Sequence, residues 1–178
     1  MVKFTKSYLG GDIMVEKSQI QKFCSLYVNE MHLIVMIIPY IESELEKGRK
    51  VVTVLEDSLE DEIQTFIKKV NLGKVKKNRI KKINWNKNLL STEQLGEINN
   101  KTVLVKGSYE YIKKVNEKLA NNKNIKIINC FCFEEFEQNS RIILEDHDAI
   151  INTTGIKNIP DIFKMSSKLK GILTKQAQ

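Results

Sequence analysis

Short runs of β-branched and apolar residues alternate along the chain with longer segments of helical periodicity, and this alternation limits the possible folds more than any other feature. Neighbouring parallel strands can be joined only by a crossover, so repeated strand-helix units predict a mostly parallel sheet covered by helices on both faces. Six strands are expected, at residues 22–27, 50–55, 79–85, 102–106, 125–133 and 149–152. The second is almost continuously apolar, as a strand covered on both faces should be. The strand at 79–85, where Ile80 and Ile83 are interleaved with lysines, reads as an edge. Asn29 is a natural N-cap for a helix running to Lys47 and stopped by Gly48, with a bend expected at Pro39. Ser58 and Asp61 open a helix that carries Leu59, Ile63, Phe66, Ile67 and Val70 at helical spacing and closes near Gly73. A short helix is expected over 91–98, another after Gly107-Ser108 through Tyr111, Ile112, Val115 and Leu119, and one through Phe136, Ile142, Ile143 and Leu144. A last helix is expected beyond Pro160.

With 178 residues, the chain has the size of one three-layer α/β domain. Its core is expected over 21–163, with an N-terminal arm at 1–20 and a tail at 164–178. No export signal or membrane-length apolar stretch is evident, and three cysteines without zinc-type spacing fit a reducing compartment, so a cytoplasmic location is expected. The formal charge of +7 is concentrated locally, because residues 68–87 hold nine Lys or Arg and no acid. Lys74, Lys76, Lys77, Arg79, Lys81 and Lys82 are the candidate phosphate contacts if the chain binds nucleic acid. No aromatic ladder or recognition helix accompanies them, and the simpler reading is a solvated face.

In such a sheet, ligands sit beyond the carboxyl ends of the strands, which makes the strand-to-helix junctions the place to look for chemistry. A nucleotide hydrolase needs a glycine-rich loop with Lys and Ser or Thr after its first strand, so that backbone amides can close on phosphate. The junction from Tyr27 to His32 has no glycine, and Glu30 sits where it would repel phosphate. ATP hydrolysis by that route is therefore not expected, nor is any cofactor or resident metal. The candidate ligand-binding residues are Tyr27, Asn29, Glu56, Trp85, Ser108, Cys130, Cys132 and His147. Tyr27 and Trp85 are expected at a pocket mouth. Cys130 and Cys132 should share one face of their strand, and a cluster with Cys24 and His147 could bind a soft metal or react with oxidants. Buried cysteines behaving as small hydrophobes explain the same pattern. Asp146-His147-Asp148 reads either as an acid-base cluster or as a helix C-cap, and the cap is preferred. Glu56-Asp57 is a weak divalent-ion signal beside a plain helix start.

Several segments taken in order carry a resemblance: Cys24-Ser25-Leu26-Tyr27, the helix to Pro39-Tyr40-Ile41 and Leu45-Glu46-Lys47-Gly48, the run 50–55, and residues 130–136 leading to Ile143-Leu144 and His147. Together they resemble the MEDS domain, a sensory module of methanogens and methylotrophs related in fold to the RecA and KaiC ATPase core. The likeness covers roughly residues 21–163. It departs from the family pattern at Lys22 and Phe23, where a histidine is usual, at Asp148, where a proline is usual, and in the abbreviated stretch 74–98. The resemblance implies a RecA/KaiC-like sheet without a phosphate-binding loop, in a non-enzymatic sensory or regulatory domain for signal transduction or transcription control. Its ligand or regulatory partner is unspecified, and fold analogy suggests a homo-oligomer. The alternatives are a nucleic-acid-binding module using 68–87 and a thiol-dependent enzyme using Cys24, Cys130 or His147.

Overall fold

A computed structural model describes residues 20–88 and 92–159. The arm before residue 20, the tail and the helix expected beyond Pro160 lie outside the described residues. In chain order the elements are β1 (Gln21–Tyr27), α1 (Glu30–Glu46), β2 (Lys50–Leu55), α2 (Glu60–Lys69), α3 (Lys74–Lys81) and α4 (Thr92–Gly96). They continue with β3 (Lys101–Lys106), α5 (Tyr109–Leu119), β4 (Lys126–Cys132), α6 (Phe133–Glu145), β5 (Ala149–Asn152) and β6 (Gly155–Asn158). The strands form one sheet in the order β2-β3-β4-β1-β5-β6, parallel except for β6. The expected three-layer α/β architecture is therefore present. Among the described residues no helix is long and apolar enough to cross a membrane.

Alternation along the central strands assigns each side chain to one of two cores. Phe23, Tyr27, Leu55, Leu104, Ile128 and Cys130 face α1, α2 and α3. Cys24, Val54, Val103, Val105, Ile127 and Phe131 face α4, α5 and α6. Asn29 caps α1 as its residue type predicts, its Oδ1 accepting from the His32 amide at 2.9 Å. Beyond the helix end, Gly48 takes the left-handed φ of +78°. α1 continues through Pro39. An interior proline costs about 3 kcal/mol, whereas each fully buried Leu or Ile contributes about 1.5–3 kcal/mol. The buried stripe of Leu33, Ile34, Ile37, Ile38 and Ile41 outweighs that cost.

At the opposite end of the sheet from the strand-to-helix junctions, Glu44 locks α1 to the strands. Its carboxylate, buried to 1% exposure, accepts from Lys126 Nζ at 3.0 Å, Lys47 Nζ at 3.1 Å and Thr102 Oγ1 at 3.2 Å. Burial alone would raise the Glu44 pKa, but hydrogen bonds from Lys126 and then Lys47 outweigh it, and the net shift is downward.

The strand expected at 79–85 is not formed. Its first half belongs to α3, and residues 84–88 run beside β2 without joining the sheet. Ile80 and Ile83, three residues apart, fit strand alternation only imperfectly and instead serve as the anchors of a short amphipathic turn. Ile80 is fully buried, and its carbonyl accepts from Trp85 Nε1 at 2.8 Å. The following segment caps the edge of β2. Asn88 Oδ1 accepts from the Leu55 amide at 2.8 Å, Asn88 Nδ2 donates to the Thr53 carbonyl at 2.7 Å, and Thr53 Oγ1 donates to the Asn84 carbonyl. A side-chain amide thus satisfies backbone groups that an edge strand leaves open. The sixth strand is β6 instead. It returns antiparallel from β5 through a turn in which Asn152 Oδ1 accepts from the Thr154 amide and hydroxyl, with Gly155 at φ +109°.

Candidate ligand site at the strand carboxyl ends

From β1 the chain crosses to β2 at the far edge of the sheet, and from β4 it crosses in the other direction to β5. The carboxyl ends of these adjacent strands, Tyr27 and Cys132, therefore flank the topological switch point, where an open α/β sheet parts its loops into a crevice. A cleft of about 470 Å³ lies there, lined by Tyr27, Glu30, Asp57, Lys106, Cys132 and Phe133, with Glu56, Ser108, Glu134 and Glu135 also at its wall.

Lys106 dominates the cleft. It ends β3 in register with Leu55 on one side and Cys130 on the other, so its side chain rises on the α1 face of the sheet. That side chain is only 4% exposed, and its Nζ lies 5.8 Å from the centroid of the Tyr27 ring. The nearest carboxylates are Glu30 at 3.6 Å and Asp57 at 4.0 Å. Both distances exceed an ammonium-carboxylate hydrogen bond. The Tyr27 hydroxyl pKa is raised, first by burial and then by the thiols of Cys130 and Cys132 and the carboxylates of Glu30 and Asp57, so the phenol stays protonated.

The helix ends at the cleft differ in how their amides are satisfied. At α5, Glu56 Oε2 accepts from the Ser108 amide at 2.6 Å, Glu135 Oε2 accepts from the Tyr109 amide at 3.2 Å, and Ser108 Oγ accepts from the Tyr111 amide at 3.4 Å. Protein carboxylates thus occupy the place where a bound phosphate would sit on a helix N-terminus. Gly107 makes the closure possible: a Cβ there would come within 2.6 Å of both Glu56 Oε2 and Tyr111 Cδ1. At α1, Asn29 fills the corresponding role. At α6, Cys132 occupies the N-cap position and provides no side-chain bond to the first-turn amides.

The expected site residues divide into separate groups. Tyr27, Glu56, Ser108 and Cys132 share the cleft, while Asn29 and Ser108 also serve as caps. Trp85, expected at a pocket mouth, belongs instead to the α1-side core at 1% exposure, where its indole donates to the Ile80 carbonyl of α3 and its own carbonyl accepts from the Ser58 hydroxyl and the Leu59 amide before α2. Cys130 lies beneath the cleft, wholly buried in the same core. Cys24 pairs in register with Asn129 and points to the opposite face, so the three thiols do not converge. Among the described residues no three metal-ligating side chains are grouped. Burial raises the Cys24 pKa to about 12 and pushes Cys130 upward as well, the latter opposed in part by Lys106.

His147 lies on the α5-α6 face near the strand amino ends, away from the cleft. Its Nδ1 donates to the Ile143 carbonyl and its Nε2 accepts from Asn129 Nδ2 at 2.9 Å, the arrangement that fits a neutral imidazole. Burial lowers its pKa, only partly offset by the bond to Ile143. The flanking acids turn elsewhere: Asp146 pairs with Lys22 Nζ at 2.7 Å and Asp148 accepts from the Lys22 amide at 2.8 Å. No Asp-His dyad forms, and the histidine closes the α6 C-terminus as an uncharged cap. It also borders a hollow of about 530 Å³ between α5 and α6 with Ile112, Phe131 and Ile142, which has a largely apolar lining.

Lys74, Lys76, Lys77, Arg79 and Lys81 lie on α3 and Lys82 caps it, mostly solvent-exposed. Lys76 pairs with Glu46 at 3.4 Å. Two contributors to the cleft, Lys106 and Glu135, do not stand out from sequence reasoning. The available signal for Lys106 is a cation closing the otherwise apolar run 102–105 at a strand carboxyl end. Glu135 gives none, because its contact with Tyr109 exists only once β3 and β4 are neighbours. No family model matches the chain, and no curated protein matches it.

Proposed function

We propose that this chain is a non-enzymatic sensory or regulatory domain that recognises a small ligand or a partner protein at the carboxyl ends of its strands, in signal transduction or transcription control. One observation carries the reading. The α5 N-terminus, a natural phosphate seat, is occupied by Glu56 and Glu135, and the junction after β1 is closed by Asn29 with Glu30 beside it. A nucleotide hydrolase needs these positions open and its first loop rich in glycine. The cleft around Lys106 and Tyr27 retains the depth of a ligand site, while Cys130 is sealed beneath it and the imidazole of His147 lies on the other face, away from the Cys132 thiol at the cleft wall. The MEDS resemblance points the same way, toward a degenerate ATPase-like domain that receives a signal.

The experiment is a coupled assay of ATP and GTP turnover with magnesium, run beside differential scanning fluorimetry with the same nucleotides. Neither turnover nor magnesium-dependent stabilisation is expected, and hydrolysis abolished by substitutions in the cleft overturns the reading. A nucleic-acid role is the second reading, favoured by the clustering of six cations on and next to α3, which contains no acid. A salt titration of DNA and RNA binding decides it. Submicromolar affinity that falls steeply with salt and is lost on reversing Lys77, Lys81 and Lys82 establishes that role.

A further inference from the structure

The cleft combines a buried cation with an excess of carboxylates, and the two have to be explained together. Lys106 is nine-tenths or more buried, reaches the cleft with its Nζ, and has no carboxylate within hydrogen-bond distance. Buried ammonium groups are normally paired closely, because desolvation is costly. Next to it starts α6, whose helical backbone is broken at Asn139 and whose first turn already carries Glu134 and Glu135, so the anion-binding demand falls on Lys106. An incompletely paired buried lysine favours a compact anion.

The rest of the wall excludes a highly charged anion. Five carboxylates line the cleft against the one lysine. Glu56 and Glu135 are engaged with the α5 amides, which leaves Glu30, Asp57 and Glu134 facing the space. A phosphate or polyphosphate would meet these at close range, whereas a cationic group would be attracted by them. Tyr27, Phe133 and Val28 supply apolar surface, the last two 48% and 74% exposed. We infer that the cleft takes a small zwitterion of the amino-acid type. Its carboxylate is held by Lys106, and its ammonium group by Glu30 and Asp57, the two carboxylates nearest that lysine.

This deepens the proposed function and rests on its placing the ligand site at the strand ends. The test uses the full chain, by calorimetric titration and thermal shift, with the standard free amino acids, their methyl esters, the matching amines and carboxylic acids, inorganic phosphate and ATP. One or more free amino acids should bind, and removal of either charged group should weaken binding roughly tenfold or more. Lys106→Met should abolish that binding with the circular dichroism spectrum retained, while Lys106→Arg keeps part of it. If Lys106→Met fails to fold, Glu30→Gln together with perturbation of the Tyr27 ring resonances in the parent protein gives the same discrimination. Absence of binding by every free amino acid, or binding indifferent to Lys106 and Glu30, overturns the inference and leaves the sensory reading standing. Turnover of a bound amino acid, by contrast, overturns the sensory reading and leaves the ligand class intact.

Discussion

Substitution of Glu56 by Ala tests whether the protein's own carboxylate holds the phosphate position closed. The change removes the acceptor of the Ser108 amide at 2.6 Å and the longer contact to the Ser108 hydroxyl at 3.4 Å. It spares the bonds from the Tyr109 amide to Glu135 and from the Tyr111 amide to Ser108. Loss of one side-chain cap costs about 1 kcal/mol, and loss of a negative charge at a helix N-terminus about 0.3–1 kcal/mol. Because the bond is short and partly buried, the sum lies at about 1–2 kcal/mol, or about 2–8 °C in Tm for a chain of this size. The informative measurement is thermal unfolding of parent and variant across a titration with formate, which replaces the lost carboxylate without the second charge that the remaining acids of the wall would repel. The variant exposes a free Ser108 amide, and formate at about ten times its Kd then restores about 1.4 kcal/mol. The parent, with that amide already occupied, should respond by less than about 0.5 kcal/mol. A variant as stable as the parent, or a parent stabilised by formate to the same degree, refutes the argument.

Glu44→Ala should lower stability by about 2–4 kcal/mol in guanidinium titration, somewhat less than a fully buried ion pair because Lys47 is 61% exposed. The Glu44 pKa is lowered in the folded protein, so its contribution is present above the ordinary carboxylate value and is lost as pH falls through the folded one; the variant should show a flatter acid limb. The His147 pKa is also lowered by burial, which makes its contribution complete above its ordinary 6.5 and increasingly lost as pH falls below that, so His147→Gln should remove this dependence from a series of urea titrations. With Cys24 raised to about 12 and Cys130 shifted upward by burial, an aromatic disulfide reagent should label at most the half-buried Cys132 in the folded protein, and Cys132→Ser should abolish rapid labelling.

Residues whose role is set by their immediate neighbours in the chain were readable before the fold was known. Asn29, Ser108 and Gly48 act where their types predict, since capping and left-handed φ are local matters. The doubly covered strands were equally plain from their unbroken apolar runs. The stretch 79–85 reads as a strand because a short, lysine-rich helix leaves only Ile80, Ile83 and Trp85 to carry a pattern, and at offsets of three and two these positions fix neither a period of two nor one of 3.6. Trp85 was misplaced as a consequence. Once α3 is a helix, its indole packs inward and donates to Ile80, and Asn88 takes over the edge of β2.

The cleft shows a different kind of limit. Strand order brings Lys106 beside Tyr27 by way of β4, and residues 79 positions apart then share one charge environment. Periodicity cannot show that, because it assigns a face to each side chain without assigning a neighbour. The thiols make the same point in reverse: Cys24 and Cys130 look like partners in a list of cysteines, yet the register of β1 against β4 sets Cys24 opposite Asn129 and Cys130 opposite Ser25, on opposite faces. A reaction centre needs a nucleophile, a base and an open oxyanion or phosphate seat within reach of one another. Here the topology separates the thiols from the imidazole and fills the α5 seat with Glu56, while Lys106 is left facing the cleft with its charge incompletely met. That combination supports the proposed binding role, because a buried cation with carboxylates beside it can meet opposite charges on one ligand.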